Sequence, residues 1–144
     1  MVYLDSNVFI YPVIYDESIP LASKSKIILM AIEEGKIVAS TSLLTWDEVV
    51  WVVLKILGRE DALMQGRKLL GFPKLQFIEV DEAIILKAQS LIESYNLKPR
   101  DAIHAASALL SGSNVIVSED RDFDVIKELK RISITDFADK ISRI

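Results

Sequence analysis

Asn114-Val115-Ile116-Val117-Ser118-Glu119-Asp120, following the helical stretch from Pro99 to Leu110, decides how this chain folds. Val115-Ile116-Val117 is apolar without alternation, as a strand covered on both faces of a parallel sheet must be. It stops at a polar run that starts with Ser118 and carries Asp120 just past the strand's carboxyl end. Pro99 suits the first turn of the preceding helix. Working back from there, Glu82 to Tyr95 reads as a helix, Leu75 to Val80 as a strand, and Glu60 to Leu70 and Ser42 to Leu57 as helices stopped by Gly71 and Gly58. Lys36 to Ala39 reads as a strand. Leu21 to Glu34 is a helix by its apolar spacing, with Gly35 as its stop. Val8 to Ile14 is a short helix capped by Asp5-Ser6-Asn7, and Val2 to Leu4 is a first strand. Beyond Asp120, Phe123 to Leu129 reads as a short helix and Ile132 to Ile134 as a last strand.

Strands alternating with helices of this length predict βαβ units, an α/β fold with a mostly parallel sheet of four to five strands. No Pro/Gly/Ser-rich linker, repeat or low-complexity tract divides the 144 residues, so one domain over 1–144 is expected. With 51% hydrophobic and 26% charged residues the chain is expected to fold rather than remain disordered. No apolar run reaches the ~18–20 residues of a membrane span, and no basic flank marks a secretory signal, so a cytoplasmic protein is expected. The absence of cysteine excludes disulfides, zinc–thiolate sites and cysteine nucleophiles. A formal net charge of -4 counts against nucleic acid as a partner. An acidic site that binds cations would itself supply much of that charge, and Arg67-Lys68, Lys98-Pro99-Arg100 and the run from Lys127 to Arg131 are locally basic.

Four carboxylates, Asp5, Glu48, Asp101 and Asp120, stand in apolar settings where an unpaired charge costs several kcal/mol. Each has a plain structural explanation: Asp5 as a helix cap, Glu48 and Asp101 as helix-start acids, Asp120 as part of a solvated loop. On the helical wheel Asp47 and Glu48 both border Trp51, so the wheel does not choose between them. Asp5 and Asp120 group together because both lie just past strand ends, where α/β sheets place their sites. If the other two join them, the partner suited to oxygen ligands alone is Mg²⁺ or Mn²⁺. His104 is the only histidine, and one turn from Asp101 it reads as a structural residue. There is no nucleophile elbow and no Gly-rich phosphate loop.

Four stretches together resemble the PIN domain and, in this compact form, the VapC-type toxins of toxin–antitoxin pairs. They are Val2-Tyr3-Leu4-Asp5-Ser6-Asn7, Thr45-Trp46-Asp47-Glu48-Val49-Val50-Trp51-Val52-Val53-Leu54, Lys98-Pro99-Arg100-Asp101-Ala102-Ile103-His104-Ala105-Ala106 and Val115-Ile116-Val117-Ser118-Glu119-Asp120-Arg121-Asp122-Phe123. They follow the family's order and span nearly the whole chain. The resemblance implies a three-layer α/β/α sandwich and a ribonuclease site with one or two Mg²⁺ or Mn²⁺ ions. Asp5, Glu48, Asp101 and Asp120 fall on the four acidic catalytic and metal-binding positions, which selects Glu48 over Asp47. Asn7, Ser118 and Asp122 fall on supporting positions. Hydrolysis leaving a 5′-phosphate and a 3′-hydroxyl, an RNA substrate, a small antitoxin partner and a homodimer are also implied. The apolar stretch from Trp51 to Leu70 is a candidate interface, and equally a candidate for the core.

Other roles share parts of this pattern. A PIN nuclease of RNA processing, or a PIN-like module used only for assembly, would keep the fold. A response-regulator receiver also gathers acids at strand ends, but it wants an acidic pair after strand one and a phospho-accepting Asp after strand three. A haloacid-dehalogenase-type phosphatase needs an Asp where Asn7 stands.

Overall fold

The computed structural model describes residues 1–143, so the last residue of the expected 1–144 domain lies outside the described part. The first half of the chain runs β1 (Val2–Leu4), α1 (Asn7–Ile14), α2 (Pro20–Glu33), β2 (Ala39–Ser42), α3 (Leu44–Leu57) and α4 (Arg59–Leu70). The second half runs β3 (Leu75–Ile78), α5 (Glu82–Ser94), α6 (Pro99–Leu110), β4 (Val115–Val117), a 3₁₀ turn (Arg121–Val125), β5 (Lys130–Ile132) and α7 (Ile134–Ser142). All strand pairs are parallel, in the order β3-β2-β1-β4-β5. The chain leaves β1 toward β2 on one side and returns to β4 on the other, so the switch point lies between β1 and β4.

Alternation along the strands builds two cores. Val2, Leu4 and Val117 face the layer of α1 to α4 and α7, whereas Tyr3 and Ile116 face α5, α6 and the 3₁₀ turn. Leu4, Ile116 and Val117 are fully buried. Each contributes roughly 1.5–3 kcal/mol, enough together to offset a buried carboxylate at the strand end.

Three expectations need correction. The second strand is Ala39–Ser42, not Lys36–Ala39. Its residues are fully buried although three are hydroxylic. Thr41 Oγ1 donates to the Leu4 carbonyl at 2.8 Å and shares a hydrogen bond with Thr45 Oγ1 at 2.6 Å, so burial does not leave it unpaired. The last strand is Lys130–Ile132, and Ile134 begins a helix. Ser133 caps that helix, accepting from the Asp136 N–H at 3.1 Å, and Phe137 and Ile141 seat it in the first core. In place of the expected helix from Phe123 to Leu129 stands the shorter 3₁₀ turn Arg121–Val125.

The α3–α4 corner turns at Gly58, whose φ of 94° is open to glycine at little steric cost. At Gly66 an added Cβ would come within 3.0 Å of the Trp46 indole and of Val50, so glycine there sets how closely α4 packs on α3.

Candidate metal centre

Asp5 continues the β1–β4 ladder by one step, its N–H donating to the Val117 carbonyl at 3.1 Å. Its carboxylate does not cap α1 at a distance, and Ser6, the capping residue, makes no side-chain cap bond. Instead Asp5 Oδ1 accepts the Ser6 N–H at 2.8 Å and Oδ2 accepts the Ser118 hydroxyl at 2.5 Å. Ser118 Oγ also accepts the Asp120 N–H at 3.0 Å and the Asn7 amide at 3.4 Å. Ser118, fully buried at the end of β4, thus ties together the ends of both central strands. Burial raises the Asp5 pKa, opposed by His104 and by these hydrogen bonds.

Glu48, in the second turn of α3, reaches the same strand end, while Asp47 turns outward to Arg100 at 3.4 Å. The wheel could not separate these two because the discriminating contact comes from another helix. His104 Nε2 hydrogen-bonds Glu48 Oε1 and lies 3.6 Å from Asp5 Oδ1. On the other side of the ring, Nδ1 meets the Tyr3 hydroxyl at 2.6 Å. Burial pulls the imidazole pKa down, but the Glu48 hydrogen bond and the Asp5 and Glu48 charges outweigh it and leave the pKa raised. His104 is thus packed and hydrogen-bonded, as its reading as a structural residue expects, and its hydrogen bond to Glu48 places it beside the carboxylates. One oxygen or nitrogen from each of Asp5, Glu48 and His104 lies within 4.8 Å of the others.

A second group adjoins it. Asp101, Asp120 and Asp122 also place one carboxylate oxygen each within 4.8 Å of one another. Asp101 sits in the first turn of α6, and Asp120 caps the 3₁₀ turn by accepting the Asp122 N–H at 2.9 Å. Asp101 Oδ2 is buried without a hydrogen-bond partner. Its pKa is pushed up to about 7 by burial first, then by the Asp120 and Asp5 carboxylates, with His104 opposing. Asp122 is exposed. The four acids Asp5, Glu48, Asp101 and Asp120 thus stand at one edge, and Asn7, Ser118 and Asp122 surround them.

Against known proteins, the PIN domain model matches residues 2–129. The chain belongs to the PIN domain family. That stretch contains both acidic groups and every strand up to β4, while β5 and α7 complete the sheet edge and the first core beyond it. No curated protein matches the sequence. Among solved structures, the PIN domain is similar to VapBC2 of Rickettsia felis, which was crystallised on a DNA fragment from its promoter. The TM-score is 0.71 at 16% identity, covering 92% of this chain and 98% of that one. It is also similar to the sarcin-ricin loop cleaving toxin VapC20 of Mycobacterium tuberculosis, with TM-score 0.70, 12% identity and coverage of 87% and 94%. A toxin-antitoxin complex from Klebsiella pneumoniae matches with TM-score 0.64 and 21% identity over 93% and 98%. At these identities the likeness is one of fold.

The donor set fits a hard divalent cation. It offers carboxylate oxygens from four separate elements, no soft ligand, and at Asp101 a buried oxygen without a hydrogen-bond partner among the described residues.

Proposed function

We propose that this PIN domain, taken as residues 1–144, is a Mg²⁺- or Mn²⁺-dependent endoribonuclease and the toxin of a toxin–antitoxin pair. The unsatisfied Asp101 oxygen, buried among like charges that raise its pKa, carries this reading. Asp5, Glu48, Asp101 and Asp120 would hold the cation. Bound there, it would lower the pKa of a water and screen the charge of a phosphodiester. Asp5 is kept ionisable by the hydroxyl of Ser118 and the Ser6 N–H, and its direction is fixed by both. Asp120 is held by its backbone, which Ser118 Oγ tethers to the end of β4. Asp101 presents its free oxygen beside both, so one of its protonation states suits a cation and the other does not.

The sheet order 3-2-1-4-5 is not the 2-1-3-4-5 order of receiver folds. After β3 the first aspartate, Asp81, is spent as the N-cap of α5. Both observations count against the phospho-acceptor alternative. A non-catalytic module has no use for an unsatisfied carboxylate, which also favours the nuclease over assembly alone.

The solved neighbours include toxin–antitoxin complexes, which supports a small protein partner here. A largely apolar cavity of about 590 Å³ among α1 to α4, lined by Phe9, Val13, Leu29, Leu69 and Phe72 and edged by charges of both signs, would seat an amphipathic helix of that antitoxin. Trp51, Leu54, Ile56, Leu63, Met64 and Leu70 remain exposed on α3 and α4 and would form the homodimer face. Trp51→Glu should then give a monomer by light scattering. No helix among the described residues is long and apolar enough to cross a membrane, and the reading places the protein in the cytoplasm with its RNA.

The test is incubation of the purified protein with single-stranded and structured RNAs, with Mg²⁺, with Mn²⁺ and with chelator. Cleavage that needs the cation and leaves 5′-phosphate ends is expected. Intact RNA under every condition, with a folded protein, would overturn the nuclease.

A further inference from the structure

Among the described residues, Glu48 makes one hydrogen bond, and it is to His104. Its side chain has three rotatable bonds and starts from a helix, yet its carboxylate is held facing Asp5, a charge of the same sign. Left alone, the longer and more exposed of two such groups would turn to solvent. The His104 ring prevents this because Nε2 lies between the two, bonded to Glu48 and 3.6 Å from Asp5. Ionised carboxylates only accept, so the nitrogen facing them carries a hydrogen. The ring itself cannot swing. It is 1% exposed, and Nδ1 is anchored at 2.6 Å on the hydroxyl of Tyr3, a residue wholly buried in β1. Its neighbours on α6, Ala102, Ala105 and Ala106, are themselves fully buried in the second core. The anchor, the ring and the carboxylate come from β1, α6 and α3, three elements whose relative placement is set by the cores rather than by the site.

We infer that His104, braced by Tyr3, is a positioning residue that holds the Glu48 carboxylate beside Asp5 in a cation-receiving geometry, and that it is not itself a ligand. This rests on the metal-dependent reading above. A hydrogen bond from a partner outside the ligand set typically changes metal affinity by roughly 10–100-fold when removed. Glu48 has no other hydrogen-bond partner here, so the effect belongs at the upper part of that range.

Two measurements on the full chain test it. Because His104 is the only histidine, its ¹⁵N spectrum in the metal-free protein is unambiguous and should show a protonated Nε2. It should stay protonated when Mg²⁺ is added. Mn²⁺ binding, followed by electron paramagnetic resonance, should weaken roughly 10–100-fold in His104→Ala. His104→Gln, which can return an N–H to Glu48, should recover to within about fivefold of the unaltered protein. Tyr3→Phe should fall between them. If His104→Ala does not fold, the glutamine variant and the spectrum carry the test. Mn²⁺ affinity unchanged in His104→Ala overturns the proposal and leaves the nuclease reading standing. Deprotonation of Nε2 on adding cation, with His104→Gln as weak as His104→Ala, overturns it in favour of direct ligation. Absence of Mn²⁺ binding by the unaltered protein removes both this inference and the reading beneath it.

Discussion

Asp5, Glu48 and His104 on one side, and Asp101, Asp120 and Asp122 on the other, are two adjoining groups of similar make-up built on opposite plans. In the first, every member is hydrogen-bonded and mostly buried: Asp5 to Ser6 and Ser118, Glu48 to His104, His104 to Tyr3. In the second, backbone bonds shape the loop, but Asp101 Oδ2 has no partner and its pKa is pushed up to about 7. The first group has its charges compensated within the protein. The second leaves charge uncompensated at an open edge, which only a cation or a proton can relieve. A site of this kind separates two tasks. One half is rigid without metal, and the other gains most when metal arrives.

The largest expected effect is on cleavage, and it should be common to both groups. Asp5→Asn and Asp101→Asn should each lower cation-dependent RNA cleavage by roughly 10³-fold or more, since each removes a charge that the cation needs. Stability should separate them. Asp101→Asn removes a like-charged, unsatisfied carboxylate and should raise the melting temperature of the metal-free protein near pH 8 by a few degrees, on the order of 1 kcal/mol. Asp5→Asn keeps only part of the Ser6 and Ser118 hydrogen bonds and should not. Melting curves with the same sign of change in both variants would erase the distinction between the two groups.

pH sharpens the same contrast. The Asp101 pKa is raised from 3.8 to about 7 by burial and then by Asp120 and Asp5. Between those values the native state therefore binds more protons than the unfolded one. Its contribution to stability is present below about pH 4 and is lost as pH rises toward 7. The His104 pKa is also raised, so it acts in the same direction, its contribution fading as the ring loses its proton. A divalent cation competes with the Asp101 proton and replaces the lost compensation. Saturating Mn²⁺ should accordingly raise the melting temperature more at about pH 8 than at about pH 5, and Asp101→Asn should flatten that difference. An equal rise at both pH values would mean that Asp101 does not meet the cation.

How much of this is legible in the amino-acid order depends on whether the controlling contacts are local. Val2 to Leu4 and Val115 to Val117 announce buried parallel strands by unbroken apolarity, and Asp5 and Asp120 follow from them as strand-end residues. Ser40-Thr41-Ser42 does not read as a buried strand. Its central hydroxyl, Thr41, is satisfied by the Leu4 carbonyl 37 residues away. The helix from Ile134 did carry a local signal, Ser133 followed three residues later by Asp136, which the apolar pair Ile132 and Ile134 masked. Glu48 and Asp47 are equivalent on the wheel, and only the Arg100 contact from α6 draws Asp47 outward. His104 is least legible of all. Its partners Tyr3 and Glu48 lie 101 and 56 residues away, and nothing in Asp101-Ala102-Ile103-His104 marks the histidine as other than packed.

The smallest effect concerns the outer limit of the second group. Asp122 places a carboxylate oxygen within 4.8 Å of ligand atoms from Asp101 and Asp120, yet it is exposed, and what it gives Asp120 is its backbone N–H at 2.9 Å. Asp122→Asn keeps that N–H, keeps the 3₁₀ turn and removes only a solvent-screened charge, whose interaction is worth about 0–1 kcal/mol. Cleavage should fall by less than about tenfold, with the melting temperature and its Mn²⁺ response unchanged. Asp120→Asn, which alters the carboxylate facing Asp101 itself, should cost far more. The ratio of the two losses measures where the second group ends. If Asp122→Asn were as damaging as Asp120→Asn, the cation would have to sit farther out over the loop. The unsatisfied oxygen of Asp101 would then need another partner.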